Sequence, residues 1–270
     1  MTFQEHAQPS LAWRDRIVIT ALLVAVIALA WGYTLHQARL MDKMEADMLR
    51  DMAMSMNDMP ASWSLLDAAI MLAMWTAMMA AMMVPSASPM IAAFATINRR
   101  RRERSDPSVP TAIFLAGYIA AWTAFSLLAV ALQWALQKSG LLTTMMQSSS
   151  AALSAVLFTA AGLYQFSPLK EMCLAYCRSP QGFILSEWRD GAAGAAIMGV
   201  RHGLFCTGCC AALMILLFAI AVMDLRWVAA LAAIVTVEKL LPGARFWRIA
   251  IGAALIAAGL WFGYVALRAA

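Results

Sequence analysis

Apolar positions in this chain come in long continuous runs, not in the alternation of a half-buried strand. Seven runs stand out, at residues 17–35, 63–97, 112–136, 151–166, 192–223, 227–241 and 249–267. A helix of about 20 residues is enough to cross a bilayer core of about 30 Å. The pattern therefore predicts an all-α, polytopic membrane protein with about seven transmembrane helices in a single membrane domain, residues 1–270. Continuous runs disfavour a β-barrel, whose strands alternate lipid-facing and lumen-facing residues. The run 63–97 would be about 50 Å long as one straight helix, so Pro85 and Pro89 are expected to kink it, end it or divide it.

Polar segments separate the runs. Residues 36–62 mix both charges with many methionines, 98–110 carry Arg99–Arg102 and Arg104, and 167–191 carry Cys173 and Cys177. With seven spans and the N-terminus inside, thirteen Lys and Arg fall on inside segments and six outside, with Arg201 left in a span. Basic residues favour the cytoplasmic side, which supports an N-terminus inside and a C-terminus outside. The 36–62 segment is then an extracytoplasmic loop, partly helical, and 98–110 and 167–191 are cytoplasmic loops. Run 17–35 is too long for a signal-peptide core and lacks a clear small-residue cleavage site.

Composition narrows the function classes. At 63% hydrophobic and 13% charged, the chain is no ordinary soluble domain. The net charge of +5 sits beside apolar runs, as topology requires, so nucleic acid is not an expected partner and the lipid bilayer is. The five cysteines form no secreted disulfide framework. No Ser/His/Asp set, phosphate loop or paired catalytic carboxylates are legible, which weighs against an enzyme. The three histidines, His6, His36 and His202, are too scattered for bis-His haem ligation.

Methionine is the unusual residue. Of 21 in the chain, 14 lie between Met41 and Met90. Seven fall in the charged stretch from Met41 to Met59, including Met44, Met48 and Met52, interleaved with aspartates. Methionine gains little from exposure there, while M-x-x-M and M-x-M spacings bring several thioethers toward one soft ion. In the second run, Met71, Met74, Met78 and Met82 share about 80° of helical arc, with Met79 and Met83 on the neighbouring strip. Packing by an adaptable apolar side chain is the default reading of that stripe. It becomes a metal path only if its Met74/Met78/Met82 face turns toward the cysteines and not toward lipid.

The cysteines carry the sharper signal. Cys173 and Cys177 are four apart and share a helix face. His202, Cys206, Cys209 and Cys210 form H-x3-C-x2-C-C, which gathers an imidazole and three thiols on nearly one face. These are ligands for Cu(I), with zinc and iron behind it. The alternative is that buried thiols pack as small apolar groups. Arg201 and Glu238 are ionisable residues in or near the membrane and count as functional candidates, unless they simply pair with each other at the inner boundary.

With these motifs in hand, the chain resembles the DUF2182 family of bacterial integral membrane proteins, described as metal-binding. The matching pieces are MWTAMMAAMMVPSASPM, YQFSPLKEMCLAYCRSP, MGVRHGLFCTGCCAALM and VEKLLPG, over residues 63–262. Ala211 departs from the pattern, where relatives are expected to carry an aromatic residue. The resemblance implies a multi-span fold in the bacterial inner membrane and metal binding at the Cys and Met motifs, without naming a reaction.

Three functions compete. The first is soft-metal transport or delivery, most of all of copper. Methionines outside would capture the ion, the cysteine set with His202 would hold it, and Cys173 and Cys177 would receive it for a membrane cuproenzyme or a metallochaperone. The second is a membrane thiol oxidoreductase using Cys206, Cys209 and Cys210. The third is a non-catalytic subunit of a larger membrane complex.

Overall fold

The computed structural model describes residues 13–51, 63–103, 110–142, 150–220, 222, 224–241 and 243–269. Among them, ten helices follow one another: α1 (Trp13–Asp51), α2 (Leu65–Glu103), α3 (Thr111–Lys138), α4 (Ala151–Gln165), α5 (Pro168–Arg178), α6 (Pro180–Glu187), α7 (Gly191–Ile215), α8 (Leu217–Ile220), α9 (Leu225–Leu240) and α10 (Ala244–Ala269). The all-α expectation holds.

Among the described residues the seven expected spans, and the orientation of the termini, are not confirmed. Five helices are long and apolar enough to cross a membrane, and six if the bent pair α4–α5, which turns by 64°, counts as one span. Helix α9 has 16 residues and reaches about 24 Å, short of a bilayer core. It also ends in the buried charges Glu238 and Lys239.

Burial separates the centre from the edge. Half of the apolar span is buried in each of α2, α3 and in α7 continued by α8, but only 17% in α1 and 11% in α10. The outer helices display large apolar residues, among them Leu29 and Val24 on α1 and Leu260, Trp261 and Leu267 on α10. A water-facing surface rarely shows so much.

Two crossings hold the bundle through small residues. Where α3 meets α7, a Cβ on Gly199 would lie 2.1 Å from the Phe114 carbonyl oxygen, and one on Gly117 would lie 2.2 Å from the Ala196 oxygen. Only glycine lets these backbones approach so closely, which is how helices associate when lipid removes the hydrophobic drive. The α4–α10 pair uses Gly162, Gly252 and Gly259 in the same way.

Helix α2 runs unbroken through both prolines, so of the three expected outcomes they neither end nor divide it. Proline cannot donate to the carbonyl four residues earlier. Trp31 Nε1 of α1 donates to the Ala81 carbonyl at 3.1 Å, the one Pro85 leaves open. Ser88 Oγ donates to the Pro85 carbonyl at 2.8 Å, the one Pro89 leaves open. The helix begins at a reciprocal cap, in which Ser64 N donates to Asp67 Oδ2 at 2.9 Å and Asp67 N to Ser64 Oγ at 3.2 Å.

The described parts of the polar segments are helical. Residues 36–51 continue α1, so Met44 and Met48 lie on a helix, while Met52 lies outside the described residues. The basic cluster from Arg99 belongs to the end of α2. Most of 167–191 is the two helices α5 and α6, and α5 folds back onto α7, with Tyr176 stacked on Phe205 at 4.3 Å.

Candidate metal centre

The α7 spacing does what a helix of 3.6 residues per turn requires. His202, Cys206, Cys209 and Cys210 all face inward and are buried. Five cysteines are free thiols. Within α7, the thiols of Cys209 and Cys210 both donate to the Cys206 carbonyl, at 3.1 and 2.8 Å. That contact orients two sulfurs toward neighbouring helices. Cys210 Sγ lies 3.6 Å from Met83 Sδ of α2, and Cys209 Sγ lies 3.9 Å from Cys177 Sγ of α5. Sulfurs from three helices thus converge.

These separations have a chemical meaning. With metal–sulfur bonds of about 2.3 Å, two sulfurs on one ion lie about 3.8 Å apart at a tetrahedral angle and about 4.6 Å apart in line. The Cys177–Cys209 and Cys210–Met83 pairs are already near the tetrahedral separation.

Cys206 Sγ faces a different set. Lys239 Nζ of α9 donates to it at 2.9 Å, and Tyr118 Oη of α3 lies 3.1 Å away. Lys239 also donates to Ser86 Oγ at 3.1 Å, and Ser86 Oγ donates to the Met83 carbonyl at 2.9 Å. Tyr118 Oη reaches the same carbonyl at 3.2 Å. The backbone of Met83 and the sulfur of Cys206 are therefore tied to each other through Tyr118 and through Lys239–Ser86. All of these residues are buried.

His202 sits apart in an aromatic box. Its ring stacks on Tyr118 at 5.5 Å and on Phe114 at 6.2 Å, and meets the edge of Phe183 at 5.5 Å. Its Nδ1 is buried without a hydrogen-bond partner. Among the described residues, no group of three or more His, Cys, Asp or Glu is already arranged as a metal site. Residues 72–262 match the family model described as PpoB2 copper chaperone.

The chain belongs to the PpoB2 copper chaperone family. Copper is the ion this membership brings, in keeping with the soft-donor reading of the sequence. Among curated proteins and among solved structures, nothing matches the chain. The stretch shared with the PpoB2 copper chaperones holds every residue of the sulfur cluster and its surroundings, from Met74 to Lys239, and leaves out Met44, Met48 and Met52. The resemblance to the DUF2182 family covered nearly the same residues, but the family shown is that of the copper chaperones.

Other residues singled out in the sequence fall as follows. Met74, Met78 and Met82 are buried, so their face of α2 turns into the bundle and not to lipid. The thioether that touches a cysteine is Met83, on the neighbouring strip. Cys173 is buried against Gly208, where a Cβ would lie 2.7 Å from its sulfur. Arg201 and Glu238 do not pair with each other: Arg201 binds Glu187, and Glu238 binds Lys170 at 2.8 Å. Sequence reasoning gave no role to Tyr118, Ser86 or Lys239 at this site. A lysine at the end of an apolar run was the only signal for Lys239.

Proposed function

We propose that the protein is a membrane-embedded copper chaperone that holds Cu(I) among the sulfurs of Cys177, Cys206, Cys209, Cys210 and Met83. The observation that carries this reading is the meeting of thiol and thioether from three helices at ligand-pair separations. Family membership supports it from an independent side. Copper here is cargo. Two or three thiolates on a monovalent ion leave net negative charge in a low-dielectric interior, which is costly unless compensated. The Lys239 ammonium lies against Cys206 and supplies the opposite charge. Met83 offers a neutral, weaker donor beside Cys210, which lets the ion change partners one sulfur at a time.

In this reading the protein spans the bacterial inner membrane with its N-terminus inside, and the methionines of 36–62 collect copper on the outer side. Cys177 is the sulfur nearest the exit through α5, and the receiver is a membrane cuproenzyme or a metallochaperone. His202 and the Met74/Met78/Met82 face are reserve donors along the path.

The test is copper loading of the whole chain, purified in detergent under reducing, anaerobic conditions. The expected result is about one tightly held Cu(I) per chain with sulfur-only coordination by X-ray absorption. The Cys206→Ser/Cys209→Ser/Cys210→Ser variant loses it. A folded parent that keeps no stoichiometric copper overturns the proposal.

The Cys177–Cys209 approach favours one second reading, thiol–disulfide exchange. It predicts a reversible disulfide between these two sulfurs, found by mass mapping after mild oxidation, in a chain that retains no copper.

A further inference from the structure

At the end of the bundle where α5 meets the start of α10 there is a cavity of about 220 Å³, lined by Glu171, Leu174, Ala175, Arg178, Arg245 and Arg248. Three guanidinium groups face one carboxylate. Arg178 is a fixed wall, with its two terminal nitrogens given to the carbonyls of Glu238 and Leu241. Arg248 is buried and bonds Glu171 Oε2 at 3.1 Å through Nη1, while its Nε is buried with no partner. Arg245 is exposed at the rim. A buried, unpartnered guanidinium nitrogen in an excess of positive charge calls for an anion.

The position of the cavity says which kind. Arg245 is the first residue of the apolar span that ends at Arg268, so the cavity opens where the hydrocarbon core begins. Its surroundings are apolar and exposed: Leu169 on α5, and Phe246 and Trp247 between the two arginines. Aromatic residues collect at the headgroup level, and basic pockets between membrane helices take anionic headgroups. At about 30 Å³ per water, the volume holds a phosphate group and a few waters.

We propose that this cavity binds the phosphodiester of an anionic phospholipid, with Arg245 and Arg248 as the ligating residues and the acyl chains lying along Leu169 and Phe246. The site is separate from the sulfur cluster and does not depend on the copper reading.

The test uses the whole detergent-purified chain titrated with short-chain phosphatidylglycerol. Native mass spectrometry and thermal unfolding are the readouts. Short-chain phosphatidylcholine and inorganic phosphate are separate arms. The expected result is a one-to-one phosphatidylglycerol adduct that raises the unfolding temperature, with no comparable effect from the other two. Arg245→Gln, at an exposed position that folding does not need, weakens the adduct about tenfold, the size of one charge-assisted hydrogen bond. Ala175→Leu reduces it by filling the cavity while leaving every charge in place. Equal binding to the parent and both variants overturns the site. Inorganic phosphate binding as tightly as the lipid overturns the headgroup assignment.

Discussion

Two buried lysines meet at neighbouring positions of α9, one through its partner Glu238 and the other as the next residue, and they are satisfied in different ways. Lys170 is 1% exposed and pairs with the Glu238 carboxylate at 2.8 Å, a closed ion pair between α5 and α9. Lys239, the residue after Glu238, is 6% exposed and pairs with no carboxylate among the described residues. Its partners are the Cys206 sulfur and the Ser86 hydroxyl. The first pair sets opposite charges against each other within the chain and fastens α5 to α9, with Glu238 Oε1 left buried and without a partner. The second sets a full positive charge against a sulfur that can also bind a soft ion. On the proposed copper reading, the structural charge finds its counter-charge within the chain, whereas the charge beside the cargo site faces a counter-charge that would change with loading.

The strongest way to break this contrast is to remove one half of the closed pair. Glu238→Leu strands the Lys170 ammonium in the interior, and the expected loss is about 3–5 kcal/mol of stability, read as a large fall in unfolding temperature in detergent. Copper stoichiometry of the folded fraction should stay at the parent value. Lys239→Met makes the opposite change. Copper affinity, measured by competition with a chromogenic Cu(I) chelator, is expected to fall at least tenfold, about 1.4 kcal/mol, with a smaller stability change than Glu238→Leu. If Glu238→Leu cost affinity and Lys239→Met did not, the two lysines would have exchanged roles.

Smaller effects sharpen the same contrast. Met83→Leu keeps volume and should cost less than about 1.5 kcal/mol in stability, yet it should weaken copper binding several-fold and remove one sulfur from the X-ray absorption shell. Met79→Leu, buried on the same helix and outside the proposed donors, is its control, with neither effect expected. Least of all, Cys173→Ser should leave copper stoichiometry unchanged, because that sulfur packs on Gly208 while the cross-helix sulfur contacts of Cys209 and Cys210 go to Cys177 and Met83.

The sequence made helices, their apolar runs and the inward face of H-x3-C-x2-C-C legible, because each depends on spacing within about two turns. Tertiary contacts were not legible in the same way. Met83 and Cys210 are 127 residues apart, and periodicity placed Met83 beside the main stripe without saying which strip meets α7. Lys239 and Cys206 come from helices whose relative rotation no local pattern records. That the prolines neither end nor divide α2 has a related reason. Their missing donors are replaced by Trp31 from another helix and by Ser88, and only the second is close in sequence. The seven-span count goes unconfirmed at α9, where the apolar run is short and ends in charges that the fold buries.

The contact of α3 and α7 through Gly117 and Gly199 makes α7 a lever with a stiff fulcrum. Backbone rests on backbone at Gly199, so the helices cannot slide closer or part without losing the contact. Cys206 lies seven residues along, about 10 Å away, and a rocking of about 5° at the fulcrum carries its sulfur through roughly 1 Å. That travel is a large fraction of a metal–sulfur bond. On the proposed copper reading, a tilt too small to disturb the packing of the bundle would be enough to change the grip on an ion, and a bulky side chain at Gly199 would retune the sulfurs from two turns away.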